Sequence, residues 1–127
     1  MGKSEVGQIG EETAAKYLKK MGYKILDRNW KNPFGYRLGE IDIIAREKKE
    51  IIFVEVKTRA ADNCNQLNVL PEEQINRSKL HKLERIASCY LNVKRLKSFP
   101  YRFDAVSVWL DSDYKQAKIK HIKSIFI

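Results

Sequence analysis

Three charged residues stand inside apolar, β-branched runs: Asp42 in GEIDIIA, and Glu55 and Lys57 in IIFVEVKT. Burying a charge without a partner is costly, so each needs either solvent or a purpose. Two carboxylates and an ammonium are also a set that can hydrolyse phosphate esters. A hard divalent cation such as Mg²⁺, with Mn²⁺ as a substitute, takes oxygen ligands, commonly one or two carboxylates plus water and substrate phosphate oxygens. A lysine beside it can orient or help deprotonate the attacking water and offset the charge of a phosphorane-like transition state. For either segment alone the simpler account is a solvated sheet face, because half-buried strands alternate routinely.

The spacing tips the balance. The two runs flank the charged segment Arg46 to Glu50, which is a hairpin signature. A turn centred between Lys48 and Lys49 puts Asp42 directly across from Glu55. Alternation then gathers Phe53, Glu55 and Lys57 on one face, with Ile52, Val54 and Val56 on the other. A third acid, Glu11, begins the apolar stripe Ala14, Ala15, Leu18 and can approach the sheet from a helix, whereas Glu12 points to solvent with Lys16 and Lys19. Glu40 shares the face of Asp42. It is either an auxiliary ligand or an exposed charge at a strand start, and strand ends favour the second.

The elements that must position these residues follow from periodicity. Ile9, Ala14, Ala15, Leu18 and Met21 predict a helix from Ser4 to Met21, ended by Gly22 as a C-cap. Tyr23 to Trp30 reads as a strand whose alternation is weakened by Asp27 and Arg28. Asn32, Pro33, Gly35 and Gly39 predict a loop with Tyr36 and Arg37 at its tip. After the hairpin, Ala60 to Val69 is polar and aperiodic, a loop beside the site face. Pro71 suits a first helical position with Glu72 and Glu73 in the first turn, and Ile75, Leu80, Leu83, Ile86, Ala87, Tyr90 and Leu91 extend an apolar stripe. Tyr101 to Leu110 and Lys118 to Ile127 read as strands around a turn at Asp111 to Tyr114. The result is one α/β domain over residues 1–127, a central mixed five-stranded sheet flanked by two helices in the order α-β-β-β-α-β-β, its first three strands a meander.

The 127 residues hold 25 Lys and Arg against 16 Asp and Glu, a net charge of +9 that favours a polyanionic partner such as nucleic acid. Cys64 and Cys89 belong to no CxxC and have only His81 and His121 as imidazole companions, so they read as reduced structural thiols of a cytoplasmic protein. The histidines read as surface or core filling. No apolar run approaches the roughly 20 residues that span a bilayer, and MGKSEVGQIGEE has no apolar signal core.

Asp42 followed after a short hairpin by Glu55-Val56-Lys57 resembles the PD-(D/E)xK motif of restriction-endonuclease-like nucleases, with Ile41 in place of the proline. The longer order GEETAAKYLKKMGYKIL, RNW, GEIDIIA, FVEVKTR, a helix containing Lys79, ASCYL and RFDAVSV resembles the YraN-like family of uncharacterised bacterial proteins, regarded as endonuclease-like and distantly similar to Holliday-junction resolvases. The resemblance implies a restriction-endonuclease-like fold, with Glu11, Asp42, Glu55 and Lys57 as the helix acid and the three core-motif residues. It implies Mg²⁺-dependent hydrolysis of DNA, branched DNA included, and junction resolution would require a homodimer. Arg59, Arg77, Lys79, Lys82 and Arg85 could extend a positive track around the site, with Lys79 either on a phosphate or snorkelling, and Trp30 or Tyr36 could stack on bases. Arg102 and Asp104 form a structural ion pair or line the sheet edge. The rival readings are a nucleic-acid-binding module that keeps the fold without turnover, and a basic scaffold for a protein partner.

Overall fold

The computed structural model describes residues 5–33, 39–60, 77–111, 113 and 115–125. Outside them lie the expected Tyr36 and Arg37 tip, the loop after Ala60, Cys64, and the helix start at Pro71 to Glu73 with Ile75. The elements are helix α1 Glu5–Lys20, strands β1 Lys24–Lys31, β2 Glu40–Glu47 and β3 Glu50–Ala60, helix α2 Arg77–Val93, and strands β4 Tyr101–Leu110 and β5 Ala117–Ile122. This is the order expected from the sequence. The strands form one sheet in the order β1-β2-β3-β4-β5. The first three are antiparallel neighbours, β3 and β4 run parallel across the α2 connection, and β5 returns antiparallel. A mixed sheet follows from this chain order, because a hairpin needs only a tight turn while a parallel pair needs a long crossover.

Each helix covers one face. On one side α1 sets Ala14, Ala15 and Leu18 against Ile43, Ala45, Ile52, Val54, Val106 and Val108. On the other α2 sets Leu83, Ile86, Ala87 and Tyr90 against Ile41, Ile44, Ile51, Phe53 and Phe103. Met21, expected on the α1 stripe, is instead 58% exposed. The helix has already ended at Lys20, and Gly22 with φ of +98° turns the chain away from it.

The hairpin register is the expected one, with Glu47 opposite Glu50, Lys48 at positive φ in the turn, and Ile43 opposite Val54. There the pairing of β2 with β3 stops, one step before Asp42 and Glu55. The partnership of β3 with β4 continues from Ile51 opposite Tyr101 to Ala60 opposite Leu110. Among the described residues the second half of β3, Glu55 to Ala60, thus has a strand neighbour along one edge only, and it is half-buried throughout. A fork between β2 and β3 opens where the charged residues stand.

Candidate active site at the β2/β3 fork

The fork has a local cause. Ile41 and Ile44 both pack on the α2 side while Ile43 packs on the α1 side, so strict alternation fails around Asp42. On β1, Trp30 faces Ile41 and Arg28 faces Ile43, and the intervening Asn29 has φ of 52°. This irregularity leaves Asp42 out of the ladder that β2 keeps with β1 on either side, and re-aims its side chain, as bulges near functional sites do. The Asp42 carboxylate uses that freedom: its Oδ2 accepts the Val56 N–H at 2.8 Å. Val56 lies between Glu55 and Lys57, so Asp42 is seated on the middle of the E-V-K tripeptide by a charge-assisted bond. The sequence expectation of a direct Asp42–Glu55 cross-strand pair is corrected to this side-chain-to-backbone contact. Two carboxylates in a direct pair would repel, whereas an N–H stabilises one of them.

Glu55 is held from the opposite direction. Its Oε1 accepts from Lys79 Nζ at 2.8 Å, with the Glu55 side chain 17% exposed. Lys79 was read as reaching a phosphate or snorkelling. Here it reaches back to a site acid and so brings the first turns of α2 over the fork. Lys57 is half-buried, and among the described residues it makes no ion pair. Ser107, 3% exposed, is its partner on β4 and lies on the same face. Sequence reading did not single it out, because one serine in an apolar strand has no spacing signal of its own.

Glu11 is 4% exposed on α1. Its neighbour Gly10 touches Thr58 so closely that a Cβ there would lie 1.8 Å from the Thr58 Oγ1. This contact docks the Glu11 turn beside the residue that follows Lys57. Among the described residues no group of three acids, imidazoles or thiols that could hold a metal ion is found. Glu40, half-buried at the start of β2, meets Lys31 at 3.8 Å. Glu12 pairs with Arg28 at 2.8 Å, and the hydrogen bond from Arg28 followed by its charge holds the Glu12 carboxyl below its ordinary value.

Of the basic track, Arg59 is half-buried on β3 without an ion pair among the described residues, Arg77 and Lys82 are exposed on α2 within a turn of Lys79, and Arg85 is exposed one turn further. Trp30 is half-buried, its ring edge-on to Tyr90 at 5.1 Å against the α2-side core. The Tyr90 hydroxyl donates to Asp27 at 2.7 Å, and burial first, then that bond, push its pKa up. His81 is exposed.

Asp104 shares with Asp42 the position of a charge within an apolar strand, and differs in how it is satisfied. Its carboxylate, fully buried, lies 2.7 Å from His121 Nε2 and accepts from Arg102 Nε at 2.9 Å and the Ser124 N–H at 3.0 Å. Burial pushes its pKa up, but the hydrogen bonds of His121, Arg102 and Ser124 and the Arg102 charge outweigh this and hold it below the ordinary value. Arg102 continues to Glu50 at 2.5 Å and the Tyr23 hydroxyl at 2.9 Å, and His121 Nδ1 meets the Tyr17 hydroxyl at 3.1 Å. The structural reading of Arg102 and Asp104 holds, and His121 belongs to the same network instead of filling the core passively. This cluster ties α1, the hairpin turn, β4 and β5 together.

A family model described as Uncharacterised protein family UPF0102 matches residues 10–108, a span containing Glu11, Asp42, Glu55, Lys57 and Lys79. A protein of Clostridium beijerinckii is 42% identical over 122 residues, covering 96% of this chain and 93% of its own. One of Caldicellulosiruptor saccharolyticus is 42% identical over 126 residues, covering 99% and 100%. One of Thermodesulfovibrio yellowstonii is 37% identical over 126 residues, covering 99% of each. All three carry the UPF0102 name, which states no activity.

Proposed function

The chain belongs to the UPF0102 family, the YraN-like family its motifs resemble, and for it we propose metal-dependent hydrolysis of phosphodiester bonds in DNA on a restriction-endonuclease-like core. The observation that carries this reading is the seat of the Asp42 carboxylate on the Val56 amide, between Glu55 and Lys57. Two hard oxygen donors and an ammonium near one strand fork are a donor set suited to Mg²⁺ with phosphate and water completing the shell. Asp42 is 8% exposed. Two carboxylates so far drawn from water gain from a cation.

The residues divide the work. Asp42 and Glu55 would hold the divalent ion, which when bound supplies Lewis-acid polarisation of the phosphate and a lowered pKa for water. Lys57 Nζ hydrogen-bonds to the water that attacks in line with the leaving oxygen, or to a non-bridging phosphoryl oxygen as charge builds on it. Water adds to phosphorus and gives up a proton to solvent, the bond to the leaving sugar oxygen breaks, and that oxygen takes up a proton from solvent. Glu11 would act on this centre from α1 as the helix acid. The +9 charge supports a polyanionic substrate.

The test is a panel of single-stranded, duplex, flapped and four-way DNAs with Mg²⁺ or Mn²⁺, run with the wild type and Glu55→Gln. Cleavage by the wild type alone is expected. Equal cleavage by Glu55→Gln would show the site to be wrong. Binding at moderate salt without cleavage of any substrate would favour the non-catalytic module.

A further inference from the structure

The Lys79 ammonium contributes something to the fork that a phosphate contact alone would not require: it occupies Oε1 of Glu55, one of the oxygens the proposed function gives to a cation. The bond is short at 2.8 Å, and the Lys79 side chain is 32% exposed, so it has room to move. A lysine is a point charge on a four-carbon flexible stem, suited to changing partners.

We propose that Lys79 is an exchangeable counter-ion of the site, which neutralises Glu55 in the ion-free protein and passes to a backbone phosphate of the bound strand when a divalent cation takes its place. The proposal rests on the function inferred above. An ammonium in contact with one carboxylate oxygen and a divalent ion on the same carboxylate are like charges at close range, and they repel. Displaced from Oε1 of Glu55, the Lys79 ammonium can turn to a backbone phosphate of bound nucleic acid. Arg77 and Lys82 lie within a turn of it on the exposed side of α2, so the same helix end already offers charge to a polyanion. Lys57 differs, since it forms no ion pair among the described residues.

Two consequences separate this role from simple support. Removing the competitor should tighten cation binding in the absence of DNA, whereas a merely structural Lys79 would loosen it when lost. Cation and DNA should also bind with positive coupling that depends on Lys79, and by reciprocity each should tighten the other by the same factor.

The experiment uses the full chain. Mn²⁺ affinity without DNA is measured by calorimetry for the wild type, Lys79→Met, Lys79→Gln, Lys79→Arg and Asp42→Asn, and DNA affinity by anisotropy with Ca²⁺ or with chelator. Lys79→Met and Lys79→Gln should bind Mn²⁺ at least about threefold more tightly, the scale of a partly exposed ion pair. They should also lose most of the Ca²⁺-induced gain in DNA affinity, while Lys79→Arg stays near the wild type in both. Unchanged or weaker Mn²⁺ binding by both neutral variants, or an undiminished Ca²⁺ gain, overturns the proposal. If Asp42→Asn binds Mn²⁺ as the wild type does, or the wild type binds none, the metal site itself falls and this inference with it. If Asp42→Asn loses the ion and the neutral Lys79 variants gain nothing, only the exchange is refuted.

Discussion

Gly10→Ala probes how α1 is held against the site. The added Cβ would lie 1.8 Å from Thr58 Oγ1, 2.4 Å from its Cγ2 and 2.6 Å from its Cβ, where ordinary contact begins at 3.4 Å. Rotating the Thr58 side chain moves the first two atoms but not the third. The backbones must therefore part by roughly 0.5–1 Å even after the best rotamer change, which is enough to forfeit a quarter or more of the dispersion energy of the atoms left facing the gap. Those atoms include Ala14, Ala15 and Leu18, all nearly fully buried. Overpacking of this kind costs about 1–3 kcal/mol. Replacing a helical glycine by alanine returns up to about 1 kcal/mol. A net loss of about 1–2 kcal/mol should lower the melting temperature by roughly 3–8 °C for a domain of this size. The same displacement separates the Glu11 turn from the Lys57 strand, and misplacements near 1 Å can cost about 10²-fold in rate. Thermal unfolding by circular dichroism and cleavage of the best substrate from the DNA panel measure the two effects. Thr58→Ala removes two of the three clashing atoms and should recover part of the loss in the double variant, and Thr58→Gly should show the larger coupling. A Gly10→Ala protein that melts at or above the wild-type temperature would refute the reasoning.

Asp42→Asn keeps an oxygen for the Val56 N–H and should stay within about 1 kcal/mol of wild-type stability, whereas Asp42→Ala strands that N–H and should cost about 1–2 kcal/mol more. Both should abolish metal-dependent cleavage, so equal urea midpoints for the two variants would count against the Asp42–Val56 bond. The Asp104 carboxyl is held below its ordinary value, so its contribution should be complete above about pH 4 and fade as pH falls through the lowered value. Urea midpoints followed from neutral to strongly acid pH should fall less steeply at the acid end for Asp104→Asn, and parallel curves would contradict the network. DNA affinity should fall steeply with salt, each neutralised phosphate contributing a log–log slope near −0.9, with Arg77→Ala or Lys82→Ala lowering the slope by about one if each meets a phosphate. Salt-independent binding would point to the protein-partner reading.

Much of this arrangement was legible in the residues themselves, because periodicity is a local property. Apolar spacing placed both helices and all five strands in order, and the Lys48–Lys49 turn set a register that holds as far as Ile43 and Val54. A charge inside an apolar strand is equally local, and it marked Asp42, Glu55 and Lys57 before any coordinates. How each charge is satisfied is not local. Asp42 and Asp104 occupy similar strand contexts, yet one is seated on an amide at an open fork while the other is closed in by Arg102, His121 and Ser124 from distant segments. Only tertiary structure decides which neighbours arrive. The same holds for Lys79, whose position beside the α2 stripe was readable but whose partner Glu55 lies 24 residues away, and for Gly10, whose missing side chain matters only because Thr58 is packed against it. Sequence spacing determined what kinds of groups each element presents. The crossing of α1 and α2 over opposite faces of the sheet decided which of those groups meet, because contacts between elements depend on packing that no short window of residues contains.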